Sequence, residues 1–513
     1  MRKSALAVMP AIVFAAVAQK PIAPSPAAPQ QVTIQVDLAK SEGPYKPIGS
    51  WFGYDESNYT TMKYGKQLLG ELHDLSPVPV YIRAHHLFTS GDGTARLKWS
   101  STNVFALGPD GKPTYDFAVL DQIFDEYHRA GVRPFVELGF MPPKLAARQS
   151  RQAFWYHPIV SPPKSYRRWD ALIRALVAHL ETRYGAAEVR HWYFEVWNEP
   201  NLDFWTGRPK QATYFELYDH TARAVKSVDP RLRVGGPATA QTAWIRAFLR
   251  HAARHHVPVD FVSTHVYADD TSMHIFGRPG LIPRDQMVCR AVRKVHDEIL
   301  ASPFPHLPLI MSEFNATYMN SGLTDTLYMG PWLAQIASDC DGLTRMMSYW
   351  TFSDVFEEQG VPKRPLWGGF GLLTIRSVPK PAFNAFAMLH QLGSVRLSDP
   401  QPGVLVTRRG NGALAIALWN PFVDGQQRDV HTFVLELTHA PSARHATVQM
   451  LDSARGDLHA AYARMGEPRY PTVAQYRELR AAGRLPPPWQ VPVRNGEIRV
   501  TLPMSALALV TLR

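Results

Sequence analysis

The chain has only two cysteines, Cys289 and Cys340, in 513 residues. Two thiols are too few for a zinc cluster or a disulfide framework, so the fold must rest on its own core. A run of five or six basic residues is also missing, although Lys and Arg outnumber Asp and Glu by 55 to 44, a net charge of +11. The cations are scattered through segments of helical period, among them Arg223, Lys226, Arg246 and Arg250. There they read as a solvated face rather than a groove for nucleic acid. The apolar run at the N-terminus, Ala5 to Val17, falls short of the ~20 residues that span a bilayer, so no stable membrane insertion is expected. No Gly-rich phosphate fingerprint follows the first strand-like run, which disfavours a nucleotide-binding open sheet. No internal repeat stands out. None of these absences bears on oligomeric state.

What is present is ordinary globular composition, 45% apolar and 19% charged, with a heavy aromatic load of 13 Trp, 20 Tyr and 24 Phe. A chain of this length buries about 75% of its unfolded surface and needs no metal to fold. Flat aromatic faces suit the apolar faces of sugars and equally suit a large core, so composition alone does not choose. Arg2 and Lys3 precede the apolar run, and Ala16-Val17-Ala18 has the small-x-small pattern of a cleavage site. Residues 1–18 therefore read as a signal peptide and 19–31 as a Pro/Ala-rich leader, implying export to the periplasm or the exterior. In such a compartment Cys289 and Cys340 are free to pair, and two buried thiols are an equal alternative.

From residue 45 to 392, short apolar runs alternate with longer segments of helical period. The strand-like runs are Ile48–Gly53, Val78–Arg83, Arg133–Leu138, Trp192–Trp197, Leu232–Gly235, Phe261–Val266, Leu309–Glu313 and Met346–Trp350. Eight strand–helix pairs in that span predict a (β/α)8 barrel, an α/β fold. Residues 393–513 change character, with short β-like runs broken by turns such as Gly410-Asn411-Gly412. They read as a C-terminal β-sandwich. Residues 32–44 offer it a further strand, and a Pro-rich, partly helical excursion falls at about 453–489.

Barrel chemistry sits at the C-terminal ends of the strands. The fourth strand-like run leads into Asn198-Glu199-Pro200, and the seventh ends at Glu313. Strands four and seven stand on opposite sides of an eight-stranded barrel, so the two carboxylates can face each other across its mouth. Facing carboxylates are what glycosidic cleavage needs, one as a protonated acid and the other ionised. Mutual repulsion and partial burial are expected to drive their pKa values apart. One glutamate at a strand end is usually a salt bridge or a cap. Two such residues, one preceded by Asn and expected to be ringed by Trp192, Trp197 and Trp205, point to function. Glu195 and Glu137 read as deeper, structural carboxylates.

Phe194-Glu195-Val196-Trp197-Asn198-Glu199-Pro200-Asn201-Leu202, followed by Phe204-Trp205, resembles the acid/base segment of glycoside hydrolase family 39. That family holds retaining β-xylosidases and α-L-iduronidases. Ser348-Tyr349-Trp350-Thr351-Phe352-Ser353-Asp354 through Glu358 is similar to its eighth-strand motif in the xylosidase form, and Gly368-Gly369-Phe370-Gly371-Leu372 and Pro379-Lys380-Pro381 follow as they do there. The resemblance implies Glu199 as general acid/base and Glu313 as nucleophile. It further implies Asn198 on the sugar 2-hydroxyl, His265 and Tyr267 as substrate-binding residues and Tyr318 beside the nucleophile. Trp350 becomes the floor of the sugar site, Glu358 a hydroxyl-binding carboxylate, and Arg83 and His85 an Arg-x-His pair in which Arg83 helps keep Glu313 ionised. The implied substrate is a glycoside or oligosaccharide. Exo-action on β-xylosides comes first, ahead of other β-glycosides, α-L-arabinosides or endo-cleavage. A non-catalytic carbohydrate-binding protein is the rival from another class.

The chain departs from the family pattern at His86, at Gly91-Asp92-Gly93 and at Trp367. These positions are expected to line the pocket mouth and to bear on the preferred sugar. The nearest groupings of metal-ligand type, His85/His86 and His251/His255/His256, read as a structural pair and an exposed basic helix face, so no metal or other cofactor is expected.

Overall fold

The structure, a computed structural model, describes residues 29–88, 102–152, 156–356, 358, 360, 362–398, 401–421, 429–439 and 444–512. The sequence reading of residues 1–28 as signal and leader falls outside these, as does the Gly91–Gly93 departure.

Eight parallel strands close into a barrel in chain order: β1 (Trp51–Tyr54), β2 (Tyr81–Ala84), β3 (Arg133–Glu137), β4 (Tyr193–Glu195), β5 (Arg233–Thr239), β6 (Phe261–Tyr267), β7 (Leu309–Asn315) and β8 (Met346–Trp350). The barrel predicted from the alternating pattern is thus the observed fold. Its helices are α1 (Lys63–Leu75), α2 (Ala118–Arg129), α3 (Tyr166–Tyr184), α4 (Lys210–Val228), α5 (Ile245–His255), α6 (Arg284–Leu300), α7 (Met329–Asp339) and α8 (Pro381–Leu389). Helix α5 shows why such segments fold as they do. Ile245, Phe248, Leu249 and Ala252 are buried at helical spacing, while Arg246, Arg250 and Arg254 lie on the other face. Ser165 caps α3 by accepting from the backbone N–H of Arg168. Pro381 opens α8, where a missing N–H costs nothing.

The period of two along each strand sets the order of layers inside the barrel. Trp51, Tyr81, Phe135, Tyr193, Phe261 and Ile310 form an apolar plug near the strand starts. Two residues further on, the same inward face carries Arg83, Glu137 and Glu195 on β2, β3 and β4. The barrel is therefore apolar at its base and charged near its mouth.

The C-terminal part is two sheets sharing one core. One runs Gln30–Asp37, Val430–Thr438, Glu497–Pro503; the other runs Trp489–Pro492, His445–Leu451, Ala506–Leu512, Leu414–Asn420, Val404–Arg408, Val395–Leu397, Ser41–Pro44. Ile34, Val36, Phe433, Leu435 and Val500 from the first pack with Val406, Ile416, Val448 and Val510 from the second. The N-terminal strand begins at Gln30, two residues inside the stretch read as leader, because its parallel register with the 430s strand extends that far, Gln30 opposite His431. Between residues 453 and 489 lie helices His459–Arg464 and Val473–Gly483. Leu458, Tyr462, Tyr476 and Leu479 of this excursion bury against Leu366 and Val378 from the region after β8.

Of the two alternatives left open for the thiols, the structure has the paired one: Cys289 on α6 is bonded to Cys340 at the end of α7. Among the described residues, no helix is long and apolar enough to cross a membrane.

Candidate active site

At the C-terminal mouth of the barrel lies a cavity of about 500 Å³, lined by residues that follow seven of the eight strands. His85 comes after β2 and Gln152 after β3. Asn198, Glu199, Asn201, Leu202 and Phe204 follow β4, and Ala240 and Gln241 follow β5. Tyr267 and Asp270 belong to β6 and the turn beyond it, Glu313 and Tyr318 to β7 and its loop, and Trp350, Phe356, Glu358 and Phe370 to β8 and the loop after it.

Arg83 organises the floor. Its guanidinium is fully buried and donates from Nη1 to Glu313 Oε1 at 2.6 Å, from Nε to Glu195 Oε2 at 2.6 Å and from Nη2 to Asn198 Oδ1 at 2.9 Å. Nη2 also stands 2.9 Å from Glu137 Oε2. Glu137 and Glu195, read from the sequence as structural, are therefore the acidic supports of this cation. Only a planar fork of donors reaches four acceptors from one side chain.

Glu313 lies where β6 and β7 slip register between Thr264 and His265. Regular alternation from Ile310 turns Ser312 inward; the irregularity lets Glu313 face the mouth as well. Its second oxygen accepts the Tyr267 hydroxyl proton at 2.7 Å. Glu199 stands opposite, in a left-handed backbone conformation with φ 41°, close after Trp197 at φ 72°. Such conformations are costly for residues with a Cβ and cluster at functional sites. Here the turn lifts the Glu199 carboxylate over the cavity, and the Glu199 N–H donates to the Ala238 carbonyl on β5 at 2.8 Å. His265 links the pair: Nδ1 is 3.0 Å from Glu199 Oε1 and 3.5 Å from Glu313 Oε2. One carboxylate oxygen of Glu199 and one of Glu313 lie within 4.8 Å of each other.

Burial raises both carboxyls from 4.5 to about 7. Burial alone therefore does not separate them, contrary to the divergence expected from the sequence. What distinguishes them is their hydrogen-bond partners. Glu313 has a guanidinium and a phenol holding its charged form, whereas the Glu199 carboxylate meets the neutral ring of His265. Burial drops His265 to about 4, leaving it neutral near pH 7. Burial and the neighbouring Glu313 charge raise Tyr267 well above its usual value, so it remains an O–H donor. His85 is kept neutral by burial and then by Arg83. It bonds Glu137 at 2.6 Å and points its other nitrogen towards Glu313 and Glu358, at 3.6 and 3.9 Å. Burial, with Asp55 and Glu313 nearby, raises Glu358 well above the carboxylate range.

Trp350 forms the apolar wall, its ring 4.5 Å from that of His85 and edge-on to Phe356. Gly53 on β1 makes room for it, since a Cβ there would stand 2.6 Å from the indole. Tyr318 is half exposed at the rim, edge-on to Tyr267.

Three sequence expectations are corrected. Trp192 does not ring the site: it packs between Phe124 and Tyr184 and donates to Glu188, because its position just before β4 faces the helices. Trp197 and Trp205 pack edge-on to each other beneath the β4 loop rather than lining the cavity. His86 and Trp367 do not line it either. His86 turns away, in a left-handed conformation, to bond Asp55 at 3.0 Å. Conversely, Gln241, Asp270, Phe356 and Phe370 line the cavity unforeseen. Asp270 lies three residues past Tyr267, where a search for carboxylates beyond the strand end would have met it.

Among the described residues, two groups bring three ligand-type atoms within 4.8 Å: Glu199, His265 and Glu313, and Asp55, His85 and Glu358. In the first, N–H and O–H donors already occupy both Glu313 oxygens. The His251/His255/His256 set is not such a group: His251, part-buried against Phe215, pairs with Asp219 of α4 at 2.9 Å.

Two glutamates across a barrel mouth, at the close spacing of a displacement rather than the ~6.5–9.5 Å that leaves room for a water between them, define a retaining glycoside hydrolase. A profile of the glycosyl hydrolases family 39 matches residues 81–495, and the chain belongs to that family. It is 40% identical over 401 residues to a β-xylosidase of Geobacillus stearothermophilus, covering 76% of this chain and 77% of that one. It is 35% identical over 419 residues to a β-xylosidase of Caldicellulosiruptor saccharolyticus, covering 78% and 84%. A crystal structure of a monomeric β-xylosidase from Caulobacter crescentus superposes with a TM-score of 0.83 at 32% identity, covering 94% of this chain and 99% of that one.

Proposed function

We propose that the chain is an exported, exo-acting β-xylosidase on xylo-oligosaccharides, with Glu313 as nucleophile and Glu199 as acid/base. In the first step a Glu313 oxygen bonds to C1 as the C1–O bond to the leaving group breaks, and the Glu199 proton passes to the departing oxygen. In the second, Glu199 takes a proton from water, the water oxygen bonds to C1 and the C1–Glu313 bond breaks, with net retention. Asn198, fixed by Arg83, holds the 2-hydroxyl. Trp350 takes the apolar sugar face, and His85, Glu358 and Tyr318 border the glycone. His265 and Tyr267 orient the two carboxyls.

The observation that carries the reading is the double restraint on Glu313 by Arg83 and Tyr267, 2.6 and 2.7 Å away, across from Glu199. The sugar is supported by the names of the two bacterial relatives above. Export is supported by the leader pattern and by the bonded cysteine pair, since disulfides persist in oxidising compartments.

A panel of aryl β-xylosides, glucosides, galactosides and α-L-arabinosides tests the sugar. The xyloside is expected to turn over fastest, and an intact xyloside refutes the choice. Glu313→Gln is expected to abolish hydrolysis; unchanged rates would make the nucleophile assignment wrong. N-terminal sequencing of the periplasmic protein is expected to begin at Gln19.

A further inference from the structure

The mechanism leaves part of the cavity unused. Because Glu199 delivers the proton to the departing oxygen, the leaving group must lie on the Glu199 side, away from Arg83 and Trp350. That side is walled by Asn201, Gln241 and Asp270.

The wall is built, not incidental. Ala238, Gln241 and Thr242 all take left-handed backbone conformations, with φ of 53°, 58° and 51°, which are costly for residues that carry a Cβ. Asn201 clamps this stretch by accepting the Ala240 N–H at 2.9 Å and donating to the Ala240 carbonyl at 3.1 Å. The result presents Gln241 on the cavity wall with Asp270, whose charged form its amide favours. Gln241 Nε2 is also 3.1 Å from His274 Nδ1. Asp270 is 7% exposed, and its Oδ2 accepts the Tyr267 N–H at 2.8 Å. A carboxylate offers about four acceptor sites, so Asp270 retains acceptor capacity toward the cavity. Burial first, and the Glu199 charge in addition, raise its carboxyl to about 7, and that charge marks its side of the site.

We propose that Asp270 and Gln241 form the subsite for the leaving sugar, Asp270 accepting a hydroxyl proton of the second pyranose and Gln241 holding Asp270 in position. The subsite selects sugars over leaving groups that carry no hydroxyl. It rests on the xylosidic reading above and on Glu199 as the acid.

The test compares kcat/KM on xylobiose, methyl β-xyloside and an aryl β-xyloside for the wild type, Asp270→Asn and Gln241→Ala. Asn can still accept the Tyr267 N–H. Methyl xyloside needs acid assistance as much as xylobiose does, yet brings no second sugar. Asp270→Asn is expected to lower the xylobiose value about tenfold or more and the other two by less than about twofold, as for a site that has lost a hydroxyl partner. Gln241→Ala moves the same ratio in the same direction. A parallel fall on all three substrates means that Asp270 acts through Tyr267 or Glu199 and overturns the proposal, as does an unchanged xylobiose value. If the wild type leaves every xyloside intact, the xylosidic reading fails and this subsite with it; a wild type active on xylobiose with an unmoved ratio overturns the subsite alone.

Discussion

Arg83 Nη1 and Glu313 Oε1 meet at 2.6 Å, although β2 and β7 bring them together across 230 residues of chain. The same guanidinium touches Glu137, Glu195 and Asn198. Lysine supplies the charge as a single point and cannot bond four acceptors at once. Arg83→Lys is therefore expected to cut kcat/KM by about 10²-fold, the scale of a misplaced catalytic group, with Asn198 and Glu313 both loosened. Arg83→Met leaves three buried carboxyls without their cation and is expected to cost about 3–5 kcal/mol of stability. Steady-state kinetics and thermal melts of the two variants check this. Wild-type rates in Arg83→Lys would mean that charge alone suffices.

The Tyr267 hydroxyl reaches only the charged form of Glu313 usefully, as a donor. The proposed double displacement requires Glu313 ionised and Glu199 protonated. The acid limb of the kcat/KM profile thus follows Glu313 and the alkaline limb follows Glu199. With both raised to about 7 by burial, the bell is narrow and centred near neutrality. Tyr267→Phe removes a donor to the carboxylate, so the Glu313 pKa rises and the acid limb moves to higher pH. The alkaline limb is expected to stay. A profile that drops in height without shifting would mean that Tyr267 only packs.

Glu199 also makes stability depend on pH. Its carboxyl titrates at about 7 in the fold, against 4.5 ordinarily, so between those values the native state binds more protons than the unfolded chain. Stability from this group is then fully present below about pH 4.5 and lost as pH rises through 7. Glu199→Gln removes the cost of ionising it. The variant is expected to melt on the order of 1–3 °C above the wild type at pH 8 and level with it at about pH 4, below the unfolded value. Equal melting at pH 8 would show that burial imposes no penalty there.

The barrel was legible because its signals are local: apolar runs of strand length, amphipathic helices such as α5, and turns that break them. Asn198-Glu199 and Glu313 were legible because strand ends need no carboxylate for packing. Arg83 as a hub for Glu137 and Glu195 was not legible from residue types alone, since strand alternation says only that these side chains point inward, not that they share one layer. The position of Glu313 depends on a register slip, and those of Trp197, Glu199 and Gln241 on left-handed backbone; neither leaves a clear trace in composition. Trp192 misled because a tryptophan adjoining the motif looks like a sugar platform, while the strand's alternation sends it outward against Phe124.

The loop bearing Phe370 depends on a buried ion triad. Lys380 Nζ stands 2.6 Å from Asp325 Oδ1 and 3.0 Å from Asp354 Oδ1, and donates to the Gly369 carbonyl at 2.8 Å. The two aspartates accept the N–H groups of Gly368 and Gly371, each at 2.7 Å. The triad thus clamps both ends of the Gly-Gly-Phe-Gly turn, whose Phe370 packs 4.7 Å from Phe356 in the cavity wall. Lys380→Met leaves two facing carboxyls uncompensated and is expected to cost about 3–5 kcal/mol. The triple change Lys380→Met, Asp325→Asn, Asp354→Asn removes the charges together and is expected to recover most of that loss, because the amides still accept from the glycine N–H groups. If the clamp positions Phe370, the recovered protein still shows a raised KM, since the bond to the Gly369 carbonyl is gone, with kcat changed less. Recovery of KM together with melting temperature would instead mean that the triad serves the core alone.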